Sequence, residues 1–580
     1  MKKVLLKMVS LITAVSIPAV YSVKIDTDVS AVSTGSIAFS LPDFEYIVGQ
    51  NDGKPVPVSN GTKYHKNKMR RTAIKMPSSF DMRKNGTISS VKDQTIYGTC
   101  WCHSSASSAE SSIIDAVPSI NLSELHTAFY SYYGDNQIIT SAQDIKEHLD
   151  WGGTTGIVTN LWSQWIGPVN ESRLPYDNVD FFDDSDKTAD MQYVSDYHLE
   201  NAYLFDFDEY RSNADDINNI VKQFVYNGNA VDVSFYYDYS DFNSRYNCSY
   251  SEKASRFANH AVTIAGWDDD FPAENFNNKP EHNGAWLIKN SWGYGSGNDG
   301  YIWISYDDQS LCDFAVYELG DNDNYSTNYH HDTFIPTQLM SSQENIDESG
   351  YSYMANVFTA EDDMQLEAIS TYFQNANTDY EITIYTSLTD ETSPSSGTPS
   401  ATTYGYEELT GYRTVELTES VPVKSGEKFG VVVKLSCEEN PFVIPVESSL
   451  FIKNTETGEI TDIGVYTSAE QIENNTNYNE SFYSSDGENW FDMFGEEQVY
   501  SDEEKEVILE SLKAEIYDGI SETDTASLEE ADELYKTYEE LFSAGDLCST
   551  TGNVSLKAFG NPSDTVKFSH IEGEVPTNES

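Results

Sequence analysis

The chain has 580 residues and a formal net charge of −61, from 95 acidic against 34 basic side chains. That balance excludes nucleic-acid binding through a basic surface and favours solubility and repulsion from anionic surfaces. The length predicts two or three domains, and six cysteines are too few for a disulfide-built scaffold.

The first predicted element is a leader. Met1-Lys2-Lys3 precedes an apolar stretch from Val4 to Val20 that contains Lys7 and Pro18, which reads as a secretory signal over 1–22, cut near Ser22, rather than a membrane span. No later stretch is long and apolar enough for a helix to cross a bilayer, so the mature chain is expected to be soluble or held by a partner. Low cysteine use in an exported protein points to a bacterium, with the protein outside the cell or on its surface. Residues 23–75 are polar and end in a basic patch from Lys63 to Lys75. Exposed basic linkers are easily cut, so this stretch is expected to be a propeptide cleaved near Arg70, Arg71 or Lys75, or else a linker.

Residues 76–331 hold the residues with chemical meaning. Val91 to Thr99 runs from a strand-like approach into a turn at Gly98, and Ser104 to Ala116 is a run of small helix formers closed by Pro118. Cys100 therefore falls in the first turn of a helix of about four turns, where free amides and the helix dipole favour a thiolate. The Cys100 N–H and the side-chain amide of Gln94 would make a pair of oxyanion donors. His260 heads the apolar strand His260–Trp267, and Asn290 follows the strand-like run Ala285–Lys289. Singly, these residues read as a buried small hydrophobe, a packed core histidine and a turn residue. Together they supply a thiol nucleophile, a base, an amide to orient the base and an oxyanion donor.

Gln94, Gly98-Thr99-Cys100-Trp101, His260 and Asn290-Ser291-Trp292-Gly293 resemble the active-site blocks of the papain-like cysteine peptidases. Pro77-Ser78-Ser79-Phe80-Asp81-Met82-Arg83 resembles the start of their mature domain, and Gly167-Pro168-Val169-Asn170-Glu171 with Pro175-Tyr176 fits the bacterial branch. The resemblance covers about residues 76–315. It implies Cys100 as nucleophile, His260 as base, Asn290 as orienting amide and Gln94 as oxyanion donor. It also implies Gly152, Gly153, Ala261 and Trp292 along the substrate cleft, and a reaction that needs no metal or organic cofactor. Two positions depart from the family pattern. Tyr97 stands where secreted relatives place a disulfide cysteine, and Ser296 replaces a second tryptophan, which is expected to thin the cover over the Asn–His bond. Cys102, about 200° round the helix from Cys100, is expected in the core beside the unusual His103.

From Asp332 the pattern changes to short alternating strands: Met364–Ile369, Tyr380–Tyr385, Arg413–Leu417 and Lys428–Lys434. Serial strands of this kind predict a β-sandwich over 332–562, with 563–580 as a tail. The blocks Glu480–Gly487 and Gly552–Phe559 resemble closing strands of the lectin-like domain found after the protease in some clostridial surface cysteine peptidases. Between them, about residues 500–545, Ser501-x-x-Glu504 and Ser527-x-x-Glu530 read as capping boxes. Ile508, Leu512 and Ile516, then Leu528, Ala531, Leu534, Tyr538 and Leu541, form apolar stripes, so a helical hairpin is expected to cap the sandwich or to offer a partner face. Cys437 and Cys548 could pair.

The expected fold class is thus α+β, a two-lobed papain-like domain followed by an all-β lectin-like sandwich of jelly-roll type with an inserted helical hairpin. The expected partners are a protein or peptide substrate and a cell-surface or carbohydrate ligand for the sandwich, on a monomer. The dense acids also permit structural calcium, although no EF-hand spacing occurs. The alternatives are an adhesion protein with an inert protease fold and an acyl-transfer enzyme acting on cell-wall peptides.

Overall fold

A computed structural model describes residues 76–563, apart from 133–148, 151, 184, 206–209, 211–212, 253–257, 341–350, 438–439, 441–442, 456, 463–466, 496 and 518–524. The expected signal, propeptide and tail (beyond Ser563) lie outside the described residues.

The first lobe is helical. After β1 (Ser79–Asp81) and the one-turn α1 (Met82–Asn85) come α2 (Cys100–Ile113), α3 (Glu124–Tyr130), α4 (Thr155–Ser163) and α5 (Ser185–Gln192). Helix α2 begins at Cys100 itself and stops at Ile113, where the amides of Ala116 and Val117 fold back onto the Ile113 carbonyl. From Trp101 to Ser111 every residue of α2 is buried. Its serines and alanines keep the helix slim enough to lie between the lobes, and the hydroxyls meet the polar-group needs that burial creates.

The second lobe is a sheet built from β2 (Tyr197–Phe205), β3 (Val231–Phe235), β4 (Cys248–Ser249), β5 (His260–Asp268), β6 (Ala285–Lys289), β7 (Tyr301–Ser305) and β8 (Cys312–Asp321), with α6 (Ala214–Tyr226) packed on it. Strand β5 pairs antiparallel with β3 and β6, which sets His260 opposite Phe235 and ends β6 next to Asn290. Val231, Val233, Ile264, Trp267, Trp286 and Ile288 are fully enclosed.

The sandwich follows as β9 (Thr327–Tyr329), β10 (Pro336–Met340), β11 (Ser352–Thr359), β12 (Met364–Phe373), β13 (Thr378–Thr386), β14 (Thr398–Glu407), β15 (Gly411–Val423), β16 (Lys428–Ser436) and β17 (Ile444–Lys453). It continues through β18 (Ile460–Asp462), α7 (Ala469–Asn475), β19 (Ser481–Ser484), β20 (Phe491–Asp492), β21 (Glu497–Val499), α8 (Asp502–Ile516), α9 (Thr525–Ser543), β22 (Asp546–Val554) and β23 (Leu556–Pro562). One layer has the order β14-β13-β16-β11-β19-β20, and a smaller sheet runs β10-β17-β22-β21. The remaining strands, β15-β12-β23-β9, continue the peptidase sheet across a β2–β15 pairing. Strand β9 lies in the sandwich's sheet although it precedes residue 332.

The Gly552–Phe559 block falls in strands, β22 and β23, parted at Ser555, whose amide bonds Pro445 and whose carbonyl accepts from Thr371, so the chain passes from one sheet to another. Two expectations need correction. Cys437 and Cys548 form no disulfide with each other. Cys548 sits opposite Phe451 in the small sheet, whereas Cys437 packs near Ala376 at the end of β16, in the other layer. In the helical pair the Ser501–Glu504 box forms, with Ser501 N–H donating to Glu504 at 2.7 Å. Helix α9, however, starts at Thr525, so Ser527 is already inside its first turn. The hairpin's Ile508, Leu512, Ile516, Ala531, Tyr535, Tyr538 and Phe542 pack on Ile452, Tyr500 and Leu547, which makes it a cap on the small sheet.

Among the described residues, no cation pairs with three fully buried carboxyls to offset their desolvation. Burial pushes Asp308 up to about 6, Asp232 to about 7 and Glu447, beside Asp332, to about 8. Folded-state values above the unfolded ones mean that the folded chain keeps protons the unfolded chain has lost. Their contribution to stability is therefore full below the ordinary carboxylate range and falls as pH rises through the window from about 4 to 8, whereas His126, His260 and His330, driven down by burial, contribute stability that is lost as pH falls below the ordinary imidazole value. The charge of −61 adds self-repulsion in the same direction as the carboxyls. Relative to wild type, Glu447→Gln should gain about 3 °C or more in melting midpoint between pH 5.5 and pH 8, read in a thermal-melt series.

Candidate functional site

Two short segments lie side by side at the head of α2. The Gln94 N–H donates to the Ser291 carbonyl at 2.8 Å and the Gly293 N–H to the Lys92 carbonyl at 3.0 Å. Gly293 has φ +71, and a Cβ there would meet the Asp93 carboxylate at 2.8 Å, so the close approach of the segments needs glycine. Beneath them, Lys92 Nζ donates to Glu110 at 2.8 Å and to Glu124 at 2.5 Å, while Lys289 Nζ donates to Ser89 Oγ and Ser107 Oγ, each at 2.9 Å. This buried polar network anchors the residues just before Gln94 and Asn290 to the helical lobe. Burial drops the Lys289 ammonium to about 8.

His260 Nε2 lies 2.8 Å from Asn290 Oδ1, and that oxygen also accepts the Ser291 N–H at 2.8 Å. An acceptor at Nε2 fixes the tautomer that carries its proton there, which leaves Nδ1 as the basic nitrogen. The Cys100 sulfur receives the backbone N–H of Ala261, the residue after His260, and that of Trp101. Burial pushes the thiol up and these amides pull it down. Burial likewise drives His260 down to about 4, opposed by its bond to Asn290 and helped by the nearby His103. Neither group favours its charge alone.

The expected thinning of the aromatic cover at Ser296 does not occur. Trp292 stacks on His260 with ring centroids 4.6 Å apart, and Tyr237 stands edge-on to Trp292 at 5.0 Å. His260 is 6% exposed and Asn290 2%. Tyr237 was not picked out from the sequence. It sits on the loop after β3, where Asn259 bonds both its N–H and its carbonyl; a tyrosine in an irregular loop carries no periodic signal.

Gln94 is half-buried at the mouth. Its Oε1 accepts from Ser291 Oγ at 2.6 Å and its Nε2 donates one hydrogen to the Tyr97 carbonyl at 2.8 Å, which leaves the second amide hydrogen. Tyr176 fixes this corner, donating to the Gln94 carbonyl at 2.9 Å and lying 2.5 Å from Thr99 Oγ1. Gly153 lies flat on Trp101, since a Cβ would fall 2.4 Å from the indole, and the Gly152 carbonyl accepts from Tyr132. Both glycines are partly exposed. Ala261, expected on the cleft wall, is instead buried in the α2 core and offers its amide, while Trp292 covers His260. Cys102 is fully buried. Thus Cys100, Gln94, His260, Asn290 and Trp292 converge, and Gly152–Gly153 line the neighbouring lobe.

Residues 76–319 match the model of the papain family cysteine proteases, and residues 329–509 match that of a lectin like domain. Vignain of Ricinus communis is 25% identical over 244 residues, covering 42% of this chain and 59% of its own length. Procathepsin L of Mus musculus is 25% identical over 270 residues, covering 45% and 71%. The chain thus spans about three fifths of the length of vignain. Among solved structures, the clostridial cysteine protease Cwp84 after propeptide cleavage superposes with a TM-score of 0.57 at 19% identity, over 84% of this chain and all of that one. A structure of the cysteine protease and lectin-like domains of Cwp84, described as a surface layer associated protein of Clostridium difficile, gives 0.55 over 84% and 90%. At such identity the likeness is one of fold. The chain therefore carries a papain family cysteine protease domain followed by a lectin-like domain.

Proposed function

We propose that this protein is an exported cysteine endopeptidase in which Cys100 attacks, His260 moves the proton, Asn290 orients His260 and Gln94 helps hold the oxyanion. The observation that carries the reading is the 2.8 Å His260–Asn290 bond under Trp292, beside a cysteine that opens a helix. His260 Nδ1 takes the Cys100 proton, and the thiolate adds to the scissile carbonyl carbon. The new oxyanion is met by the Cys100 N–H and the free Gln94 amide hydrogen. Collapse breaks the C–N bond, and the leaving amine takes the proton from His260. Water then gives a proton to His260 as it adds to the thioester, and the C–S bond breaks to release the acid and restore the thiol. The chemistry needs no metal or organic cofactor.

The export reading is supported by the leader-like composition of Met1 to Val20 and by the description of the structural neighbour as surface layer associated. Among the described residues no helix is long and apolar enough to cross a membrane. We assign the sandwich the accessory task of holding a protein, wall or glycan surface near the cleft. The test is to incubate the purified chain with an epoxide thiol inhibitor, map the adduct by mass spectrometry and profile cleavage of a peptide library. The expected result is a single adduct on Cys100 with parallel loss of cleavage; cleavage that persists after complete labelling would defeat the assignment.

A further inference from the structure

The proposed reaction leaves one buried carboxyl beneath the nucleophile helix unused. Asp232, on β3, is 1% exposed. Its Oδ1 lies 2.5 Å from Ser104 Oγ and its Oδ2 2.6 Å from Ser105 Oγ, both on α2. Among the described residues no cation pairs with it. The other ionisable groups that face it are Cys100 and Cys102 on α2 and Asp313 and Tyr317 on β8, none of which favours a negative charge. Strand β5 presents Thr263 opposite it.

Ser104 makes the proton count decisive. Its Oγ is also 2.5 Å from the carbonyl oxygen of Val262, two residues after His260 on β5. A hydroxyl has one hydrogen, so it cannot donate to an ionised Asp232 and to Val262 at once. With Asp232 protonated, the carboxyl donates to Ser104 and Ser104 donates to Val262, and both contacts are satisfied. With Asp232 ionised, the one Ser104 hydrogen serves either the carboxylate or Val262, and one of the two close contacts is lost in a dry site.

We propose that Asp232 is a positioning residue of the peptidase: its proton completes a chain, Asp232 to Ser104 to Val262, that latches the helix of Cys100 to the strand of His260. Loss of that proton opens the latch and sets a negative charge against the Cys100 thiolate. The ionisation lies near neutrality, since burial raises this carboxyl to about 7. The latch rests on the assignment of Cys100 and His260, and it predicts an alkaline decline in activity that belongs to Asp232.

The test compares wild type with Asp232→Asn, whose amide donates to Ser104 at every pH. kcat/KM should fall about threefold or more between pH 6 and 8.5 in the wild type and by less than half that factor in the variant, with similar values at pH 6. The rate of Cys100 alkylation by iodoacetamide should rise at lower pH in the variant. Asp232→Ser, a neutral hydroxyl donor, answers the same question should Asp232→Asn fail to fold. Coincident pH profiles for active wild type and variant overturn the latch. A wild type that neither cleaves peptides nor takes the epoxide at Cys100 overturns the peptidase assignment instead, and alkylation still reads the Asp232 charge.

Discussion

Cys100→Ala should abolish peptide hydrolysis, lowering kcat/KM by at least about 10⁴-fold, and should remove the epoxide adduct while the melting midpoint stays near that of the wild type. The sulfur forms the bond that splits one difficult step into two, and a methyl group has no substitute for it. Cys100 contributes little else: it is half-buried and opens a helix already held by the buried run from Trp101 to Ser111. His260→Ala should cost a similar factor, and the double variant little more, because residues that act as a unit are not additive. The two single variants differ in their alkylation profiles. Without the imidazole, Cys100 should behave as a half-buried thiol with its ionisation displaced to alkaline pH, since desolvation is the largest influence on it. Full hydrolysis by purified Cys100→Ala, checked against contaminating protease with the epoxide, would be incompatible with the proposed chemistry.

The candidate site was readable because its members sit in short stretches with local meaning. Cys100 precedes a run of helix formers, His260 heads an apolar strand and Asn290 ends another, so each position follows from neighbours within a few residues. What was not readable is what long-range pairing decides. Tyr237 covers the His260–Asn290 bond from a loop, Tyr176 bonds Gln94 from 82 positions away, and Asp232 meets Ser104 from 128 away. Fold class was legible for the same reason as the motifs, since alternating strands such as β13 and β16 show their period directly. The break at Ser555 was not, because Val554 and Leu556 are both apolar and only their sheets differ. The start of α9 moved to Thr525 because capping patterns mark several nearby serines and threonines equally well.

The joint between the domains was likewise invisible in the sequence, and it carries the second large effect. Strand β2 of the peptidase pairs with β15 of the sandwich, Tyr203 opposite Gly411 and Asn201 opposite Arg413. Gly411 has φ +128 and a Cβ there would lie 1.9 Å from the Ala202 carbonyl, so the crossing is closed to any other residue. Arg413, 3% exposed, fills the seam. It donates to the carbonyls of Ala202 (2.7 Å), Tyr412 (2.9 Å), Leu409 (3.0 Å) and Thr410 (3.1 Å), and to Glu407 at 3.1 Å. Its guanidinium carbon sits 3.8 Å from the centre of the Tyr203 ring. Arg413→Ala would strand the Glu407 carboxylate and take a donor from four carbonyls, of which Thr410 keeps the Leu204 N–H, a loss on the order of 3–5 kcal/mol for a buried charge left unpaired. Wild type should unfold with coincident signals from both domains, whereas Arg413→Ala should separate them into two transitions and open the 408–411 turn to limited proteolysis. Arg413→Lys should fall between, since an ammonium keeps the ion pair but lacks the planar fork. Hydrolysis of a short peptide should be nearly unchanged, while cleavage of a large protein that must touch both domains should drop, because the sandwich would no longer hold a fixed bearing on the cleft. A single transition at the wild-type midpoint in Arg413→Ala would mean that Arg413 is not what couples the domains.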